Sequence, residues 1–120
     1  IDVMQATALT PLPGTRLFAR LKEEGRLLYT NFPHDWDRYD LTEVVYRPKQ
    51  MEAEEFSKTM RECLSKIYDR PVLKAKARQT LKLTGRWDTT EFAYQSNQNY
   101  RTIAMAESTF RATGTPRPEV

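Results

Sequence analysis

Side chains suited to nucleophilic, acid–base or metal chemistry are few in this sequence. It contains one cysteine, Cys63, and one histidine, His34. A single thiol excludes a disulfide framework, a cysteine-ligated zinc site and a self-contained iron–sulfur site. A single imidazole makes a Ser-His-Asp triad or a multi-histidine metal centre hard to build. Cys63 lies beside the apolar stripe of a predicted helix, and we interpret it as a small core residue rather than a reactive thiol. We predict no metal site and no catalytic residue in this chain.

An aromatic and acidic segment supplies further candidates. His34 stands between Pro33 and Asp35, where an ordinary turn histidine is the favoured interpretation and a general acid of a larger site is the alternative. Trp36 and Tyr39 can shape a substrate site by stacking on a planar substrate. Anchoring a loop to the core is the more common role of such residues, and we favour it here.

The most specific feature is the segment Thr10-Pro11-Leu12-Pro13-Gly14-Thr15. It follows the carboxyl end of a predicted strand and leads into the N-terminus of a predicted helix. Sheets and barrels of α/β proteins place ligands at such a junction, because backbone N–H groups and a helix dipole converge there. The alternative is a stiff connector, in which prolines set the path, glycine turns it and threonine caps the helix. Spacing alone favours the connector.

Basic residues recur every four positions near the middle of the chain. They are Arg70, Lys74, Arg78, Lys82 and Arg86. On a helix they form a basic stripe that winds slowly round the axis, and no acidic residue interrupts it. The stripe can bind the phosphates of RNA, so a small helical interaction or RNA-binding module is the alternative function. We favour a solvated face, since no aromatic residue interleaves the stripe to stack on bases, and we do not expect nucleic acid as a partner.

A strand and a helix must position the Thr10–Thr15 segment. Residues 2–10 carry no charge beyond Asp2, which predicts a strand buried on both faces. Thr15 can cap a helix over residues 16–24, and Gly25 supplies its left-handed stop. A single strand is not stable alone, so it needs partner strands from a region outside this chain or from a second copy.

Three more helices and a short strand are predicted downstream. A strand within 41–47 is closed by Pro48. The first helix spans 52–69, and its apolar residues are Phe56, Met60, Leu64 and Ile67. The second spans 71–84, with Leu73, Ala77 and Leu81 on its apolar side. The third spans 88–112, with a stripe of Phe92, Ser96, Ile103 and Phe110. The predicted fold class is α+β, mainly α.

Length and composition agree with one modest domain. The chain has 120 residues, of which 39% are hydrophobic, and a net charge of +3, too mild to imply nucleic acid by itself. The mean hydropathy of -0.71 and the lack of any long apolar run exclude a membrane span. No signal peptide is visible and the lone thiol is typical of a reducing compartment, so we expect a cytoplasmic protein. The absence of an initiator methionine leads us to expect a piece of a larger protein.

The ordered motifs resemble a known enzyme superfamily. The run from Leu9 to Thr15, followed by Leu17, Phe18, Leu21 and Gly25-Arg26, looks like the last barrel segment of radical S-adenosylmethionine (SAM) enzymes. Residues 35–40, 44–49 and the Met-x-x-Glu-Glu helix start at Met51 are similar to the C-terminal region of the cobalamin-binding branch. The resemblance covers about residues 5–69. The Cys-x-x-x-Cys-x-x-Cys motif that holds the [4Fe–4S] cluster in that superfamily is absent, so the chain resembles a C-terminal fragment.

The resemblance implies which parts of a parent enzyme the segments of this chain would form. Residues 1–25 would be the last strand and helix of a (β/α) barrel, 26–50 a linking segment, 51–112 a helical accessory region of about three helices, and 113–120 a flexible tail. The Thr10–Thr15 turn would line the mouth of the barrel near SAM or substrate. The [4Fe–4S] cluster, SAM and cobalamin would belong to the parent, whose missing N-terminal part is the expected partner. The fragment alone would have no cofactor and no catalysis.

The predicted orphan strand also suggests self-association. An unpaired strand presents backbone donors and acceptors that invite pairing with another chain. We expect the isolated chain to associate with itself through residues 2–10, or to leave them disordered.

Overall fold

The computed structural model describes residues 2–106, and within them the fold is mainly helical. The α-helices are α1 (Arg16–Glu23), α2 (Ala53–Ile67), α3 (Arg70–Thr84) and α4 (Trp87–Ala104), and a short 3-10 helix spans His34–Arg38. No helix in this part of the chain is both long and apolar enough to cross a bilayer. The described residues form two compact units, one of residues 7–60 and one of residues 2–6 with 61–106. The predominance of helix is confirmed.

The strand predicted over residues 2–10 does not form. These residues have no strand partner in the described chain, where the one β-bridge joins Leu27 and Tyr46. A strand exists only as part of a ladder, so an apolar uncharged run without a partner cannot become one. Its first residues instead bond to side chains of their own unit. Tyr68 Oη donates to the carbonyl of Met4 (2.6 Å), and Thr80 Oγ1 lies 2.6 Å from Asp2 Oδ1.

The short strand predicted within 41–47 is reduced to that one antiparallel bridge. Leu28 N donates to the carbonyl of Val45 (3.0 Å), and Arg47 N donates to the carbonyl of Arg26 (2.9 Å). Pro48 follows immediately and has no N–H to continue the ladder. Val45 is fully buried, so the segment belongs to the core although it is not a regular strand.

Helix α1 begins and ends as the sequence predicts. The Thr15 hydroxyl accepts from Phe18 N (3.2 Å), which satisfies one of the N–H groups that the first turn leaves without a partner. Gly25 has φ +65°, and the helix stops before it. Leu21 is buried, while Leu17 and Phe18 are half-buried. These three apolar residues therefore face the core.

Helices α3 and α4 pack against each other as a hairpin joined by Gly85 and Arg86. Pro71 lies in the first turn of α3, and Gly85 ends it with φ +66°. These two residues stand at the bounds predicted for this helix, 71–84. Leu73 is buried and Ala77 half-buried, as the predicted apolar side of this helix requires.

The buried face predicted for α4 is wrong. Phe92 and Ile103 are exposed, and the buried residues are Thr90, Ala93, Asn97 and Ala104. Polar side chains can occupy this face because their hydrogen bonds are made inside the unit. Thr90 Oγ1, for example, donates to the carbonyl of Arg86 (2.8 Å). Phe110, the end of the predicted helix and the predicted tail at 113–120 lie outside the described residues.

The apolar stripe predicted for helix α2 is confirmed, but the predicted burial of Cys63 is not. Leu64 is buried, and Phe56, Met60 and Ile67 are half-buried. Cys63 is exposed. One residue along a helix is a turn of about 100°, so a side chain next to the buried Leu64 in sequence falls outside the buried face. The interpretation of Cys63 as a core residue is therefore wrong.

Candidate functional site

The Thr10–Thr15 segment forms a tight turn at the N-terminus of α1. Thr15 N donates to the carbonyl of Leu12 (3.2 Å), which closes a four-residue turn with Pro13 and Gly14 at its centre. Gly14 has φ +78°. Proline at the second position and a positive-φ glycine at the third are the arrangement of a type II turn. A Cβ at position 14 would meet nothing within 4 Å, so the backbone angle, not crowding, requires glycine here.

Thr15 joins this turn to the helix through a single hydroxyl. Its Oγ1 donates to the carbonyl of Leu12 (2.6 Å) and accepts from Phe18 N (3.2 Å). Both halves of the connector interpretation, a glycine turn and a threonine cap, are therefore present. The same geometry leaves the remaining N–H groups of the first turn of α1 at the exposed end of the helix.

Burial divides the segment into anchored and exposed parts. Thr10 and Pro11 are buried, and the Thr10 hydroxyl donates to the carbonyl of Ala8 (3.2 Å). Leu9 and Leu12 flank them with 60% and 44% of their surface exposed. Two exposed leucines therefore lie within four residues of each other, next to this turn.

Trp36 and Tyr39 belong to an aromatic cluster built on α1. Trp36 stacks on Phe32 with ring centroids 3.9 Å apart, and Phe18 of α1 lies 5.5 Å from Trp36 and 6.2 Å from Tyr39. Tyr39 Oη donates to the carbonyl of Tyr29 (2.7 Å). These contacts attach the 3-10 helix to α1. Their geometry is that of a loop anchor, in which the Tyr39 ring is buried and the Trp36 ring is half-buried.

An ion pair between Arg38 and Glu43 lies beside the same aromatic cluster. Arg38 Nη1 donates to Glu43 Oε2 (3.0 Å), and the Arg38 guanidinium lies 4.4 Å from the centre of the Tyr29 ring. Glu43 is buried, and this bond pairs its carboxylate with a cation. Burial, together with the negative charge of Asp35, raises the pKa of Tyr39 to about 12. His34 is exposed at the start of the 3-10 helix.

The basic residues of the stripe are all exposed, and α3 carries four of them on 15 residues without an acid. They are Arg70, Lys74, Arg78 and Lys82, with Arg86 just beyond the helix. Arg86 is bonded to the carboxylate of Asp88 through Nε (3.1 Å) and Nη2, which lowers the pKa of Asp88. Arg86 is therefore paired with Asp88 at this exposed position, whereas the other four cations lie along α3.

A groove between α3 and α4 places aromatic rings beside two of these cations. Its volume is about 410 Å³, and its lining residues are Lys74, Ala77, Arg78, Trp87, Thr90, Glu91 and Tyr94. The sequence pattern missed this juxtaposition, because no aromatic residue lies between Arg70 and Arg86 along the chain. The hairpin brings the aromatic residues from the next helix. A search for aromatics at helical spacing on both sides of Gly85 would have found them.

Among residues 2–106, the structure brings no three histidine, cysteine or acidic side chains close enough to hold a metal ion. An iron–sulfur cluster is held by several cysteine thiolates. The single thiol of this chain, exposed on α2, does not provide that donor set. The residues of this chain therefore do not fit a [4Fe–4S] cluster.

Comparison with known families places the chain. A family model described as a domain of unknown function, DUF4070, matches residues 15–117. The chain belongs to the DUF4070 family. No curated protein and no solved structure matches it. The DUF4070 match begins at Thr15, the residue that caps α1, and it runs through both compact units.

Proposed function

We propose that this DUF4070 chain is the C-terminal region of a radical SAM enzyme of the cobalamin-binding branch. In this role it closes the barrel and shapes the substrate site, and it performs no catalysis by itself. The proposal rests on the resemblance of residues 5–69 to that region. The cluster belongs to the part of the parent enzyme that precedes this chain, because the chain offers one thiol, and the resemblance assigns SAM and cobalamin to the same part. A cytoplasmic location goes with this proposal on the sequence grounds given above.

One observation carries the proposal. A segment without a strand partner in the described chain runs into a Pro-Gly turn that leads to the Thr15 cap of α1, and Leu9 and Leu12 stay exposed on either side of the buried Pro11. A last barrel strand separated from its neighbours would leave this arrangement, since strand pairing and the covering of these leucines both require the absent barrel. The turn then lies where substrate or SAM approaches the barrel mouth.

The test uses the full-length protein encoded by the reading frame that contains this chain. We expect that frame to encode a Cys-x-x-x-Cys-x-x-Cys motif upstream. Leu9→Glu and Leu12→Glu should each lower the melting temperature by several degrees and speed proteolytic cleavage near α1, because each buries an unpaired charge against the barrel. Leu83→Glu is the matched control, since Leu83 is 75% exposed on α3.

Two results would overturn the proposal. One is a reading frame without the three-cysteine motif. The other is a full-length protein in which Leu9→Glu and Leu12→Glu behave like Leu83→Glu, because the leucines would then face water in the intact protein as well.

A further inference from the structure

Positive charge is unevenly distributed between the two compact units. Residues 2–6 and 61–106 carry nine basic and five acidic side chains, whereas residues 7–60 carry eight basic and nine acidic ones. All of the excess comes from α3, which has five basic residues and no acid; successive members of the stripe lie about 6 Å apart along its axis. A row of cations at this spacing is suited to a polyanion rather than to a single carboxylate.

The groove beside the stripe adds an apolar and aromatic surface to this charge. Lys74 and Arg78 form part of its α3 wall, and Trp87 and Tyr94 part of its α4 wall. Trp87 is 75% exposed, so one face of a large aromatic ring is available. Gln98 Nε2 donates to the Tyr94 hydroxyl (2.9 Å), which fixes the position of the second ring. The groove volume of about 410 Å³ is at the lower end of the range of small-molecule sites.

We propose that the α3–α4 groove binds single-stranded nucleic acid, with a base on Trp87 and the phosphates on Lys74, Arg78 and the other stripe cations of α3. Cations that follow the backbone next to aromatic rings that stack on bases are the combination used by proteins that bind single strands. Glu91 lines the same groove, and its carboxylate can accept a hydrogen bond from an exocyclic base amine. This inference does not depend on the radical SAM proposal.

The experiment titrates the full 120-residue chain into fluorescently labelled 12-nucleotide single strands of RNA and of DNA, and into an RNA duplex, with anisotropy as the readout. We expect saturable binding of a single strand that is tighter than binding of the duplex. The RNA and DNA strands distinguish the two possible sources of the ligand. With about three phosphate contacts, raising the salt from 50 to 200 mM should weaken binding roughly 20-fold.

Matched variants distinguish binding in the groove from effects of net charge or of exposed apolar side chains elsewhere. Trp87→Ala should weaken binding roughly tenfold, the lower part of the range for losing one stacked base. Phe92→Ala should change it less than twofold, because Phe92 is 71% exposed on the same helix but does not line the groove. Lys74→Glu should weaken binding more than Arg16→Glu, which makes the same change in net charge on α1. Circular dichroism confirms that each variant is folded.

Several results would overturn this proposal. They include no binding of either single strand at 50 mM salt, equal effects of Trp87→Ala and Phe92→Ala, or equal effects of Lys74→Glu and Arg16→Glu. A change in the sedimentation of the chain alone on Trp87→Ala, without a change in anisotropy, would assign the groove to contact between copies and would also reject it.

Discussion

The side-chain amide of Asn97 holds the backbone of residues 2–4. Met4 N donates to Asn97 Oδ1 (3.2 Å), and Asn97 Nδ2 donates to the carbonyls of Asp2 (2.7 Å) and Ala93 (2.9 Å). An N–H and the carbonyl two residues before it are the pair that one residue of a parallel neighbouring strand would bond through its own C=O and N–H. A buried amide on α4 thus takes the place of one rung of a sheet.

Replacing Asn97 tests how much this contact stabilises its unit. Asn97→Asp keeps the acceptor but removes the donor, and it directs a buried carboxylate at two carbonyls. We expect a loss of about 2–4 kcal/mol in the free energy of unfolding, measured by urea titration. Asn99→Asp, at an exposed position of the same helix, should change it by less than about 0.5 kcal/mol. Equal effects of the two variants would show that the Asn97 amide contributes nothing.

The turn before α1 should depend on the backbone freedom of Gly14. Because Gly14 has φ +78° and open space around it, Gly14→Ala adds backbone strain without a clash, and we expect a loss of about 1 kcal/mol. Gly14→Asn should lose less, since asparagine tolerates the left-handed region. The melting temperatures of the two variants provide the measurement. An alanine variant as stable as the wild type would contradict the type II turn.

The cap of α1 makes a separate prediction. Thr15→Ala removes the oxygen that accepts from Phe18 N and should cost about 1 kcal/mol in urea unfolding. Thr15→Ser retains the hydroxyl and should stay within a few tenths of a kcal/mol of the wild type. If serine is as destabilising as alanine, the hydroxyl is not the cap.

Stability should fall at high pH because of buried tyrosines. The pKa of Tyr39 is raised from 10.0 to about 12, first by burial and then by the charge of Asp35. The unfolded chain therefore releases this proton first, so the Tyr39 contribution is complete below pH 10 and is lost as the pH rises towards 12. Burial raises the pKa of Tyr29 and Tyr68 in the same direction.

Tyr39→Phe should make this decline shallower, at a cost of about 1 kcal/mol near neutral pH for the lost bond to the Tyr29 carbonyl. Ultraviolet titration of the folded protein follows the phenolates directly. Ionisation of all six tyrosines together near pH 10 would contradict the burial of Tyr39.

Local signals in the sequence were sufficient to predict where helices begin and end, but not which of their faces are buried. Thr15, Pro71 and Gly85 act within one turn of the chain, so their roles in starting or ending helices could be predicted from neighbours alone. The buried face of α4 could not be predicted in this way. Asn97 is buried because its amide bonds to residues more than 90 positions away in sequence, and no hydrophobic period reports such a contact.

The candidate sites show the same division. The Pro13-Gly14-Thr15 turn followed from residue types with fixed backbone preferences. The pairing of the basic stripe with Trp87 depends on the hairpin at Gly85, which places the next helix alongside. The strand predicted over residues 2–10 depends on partner strands, and no pattern within those residues can supply them.

SAM cleavage by the full-length protein tests the proposed function directly. After anaerobic reconstitution with iron and sulfide and addition of a reductant, we expect the full-length protein to convert SAM to 5′-deoxyadenosine. The 120-residue chain alone should form none under the same conditions. A full-length protein that binds no cluster and forms no 5′-deoxyadenosine would contradict the assignment of this chain to a radical SAM enzyme.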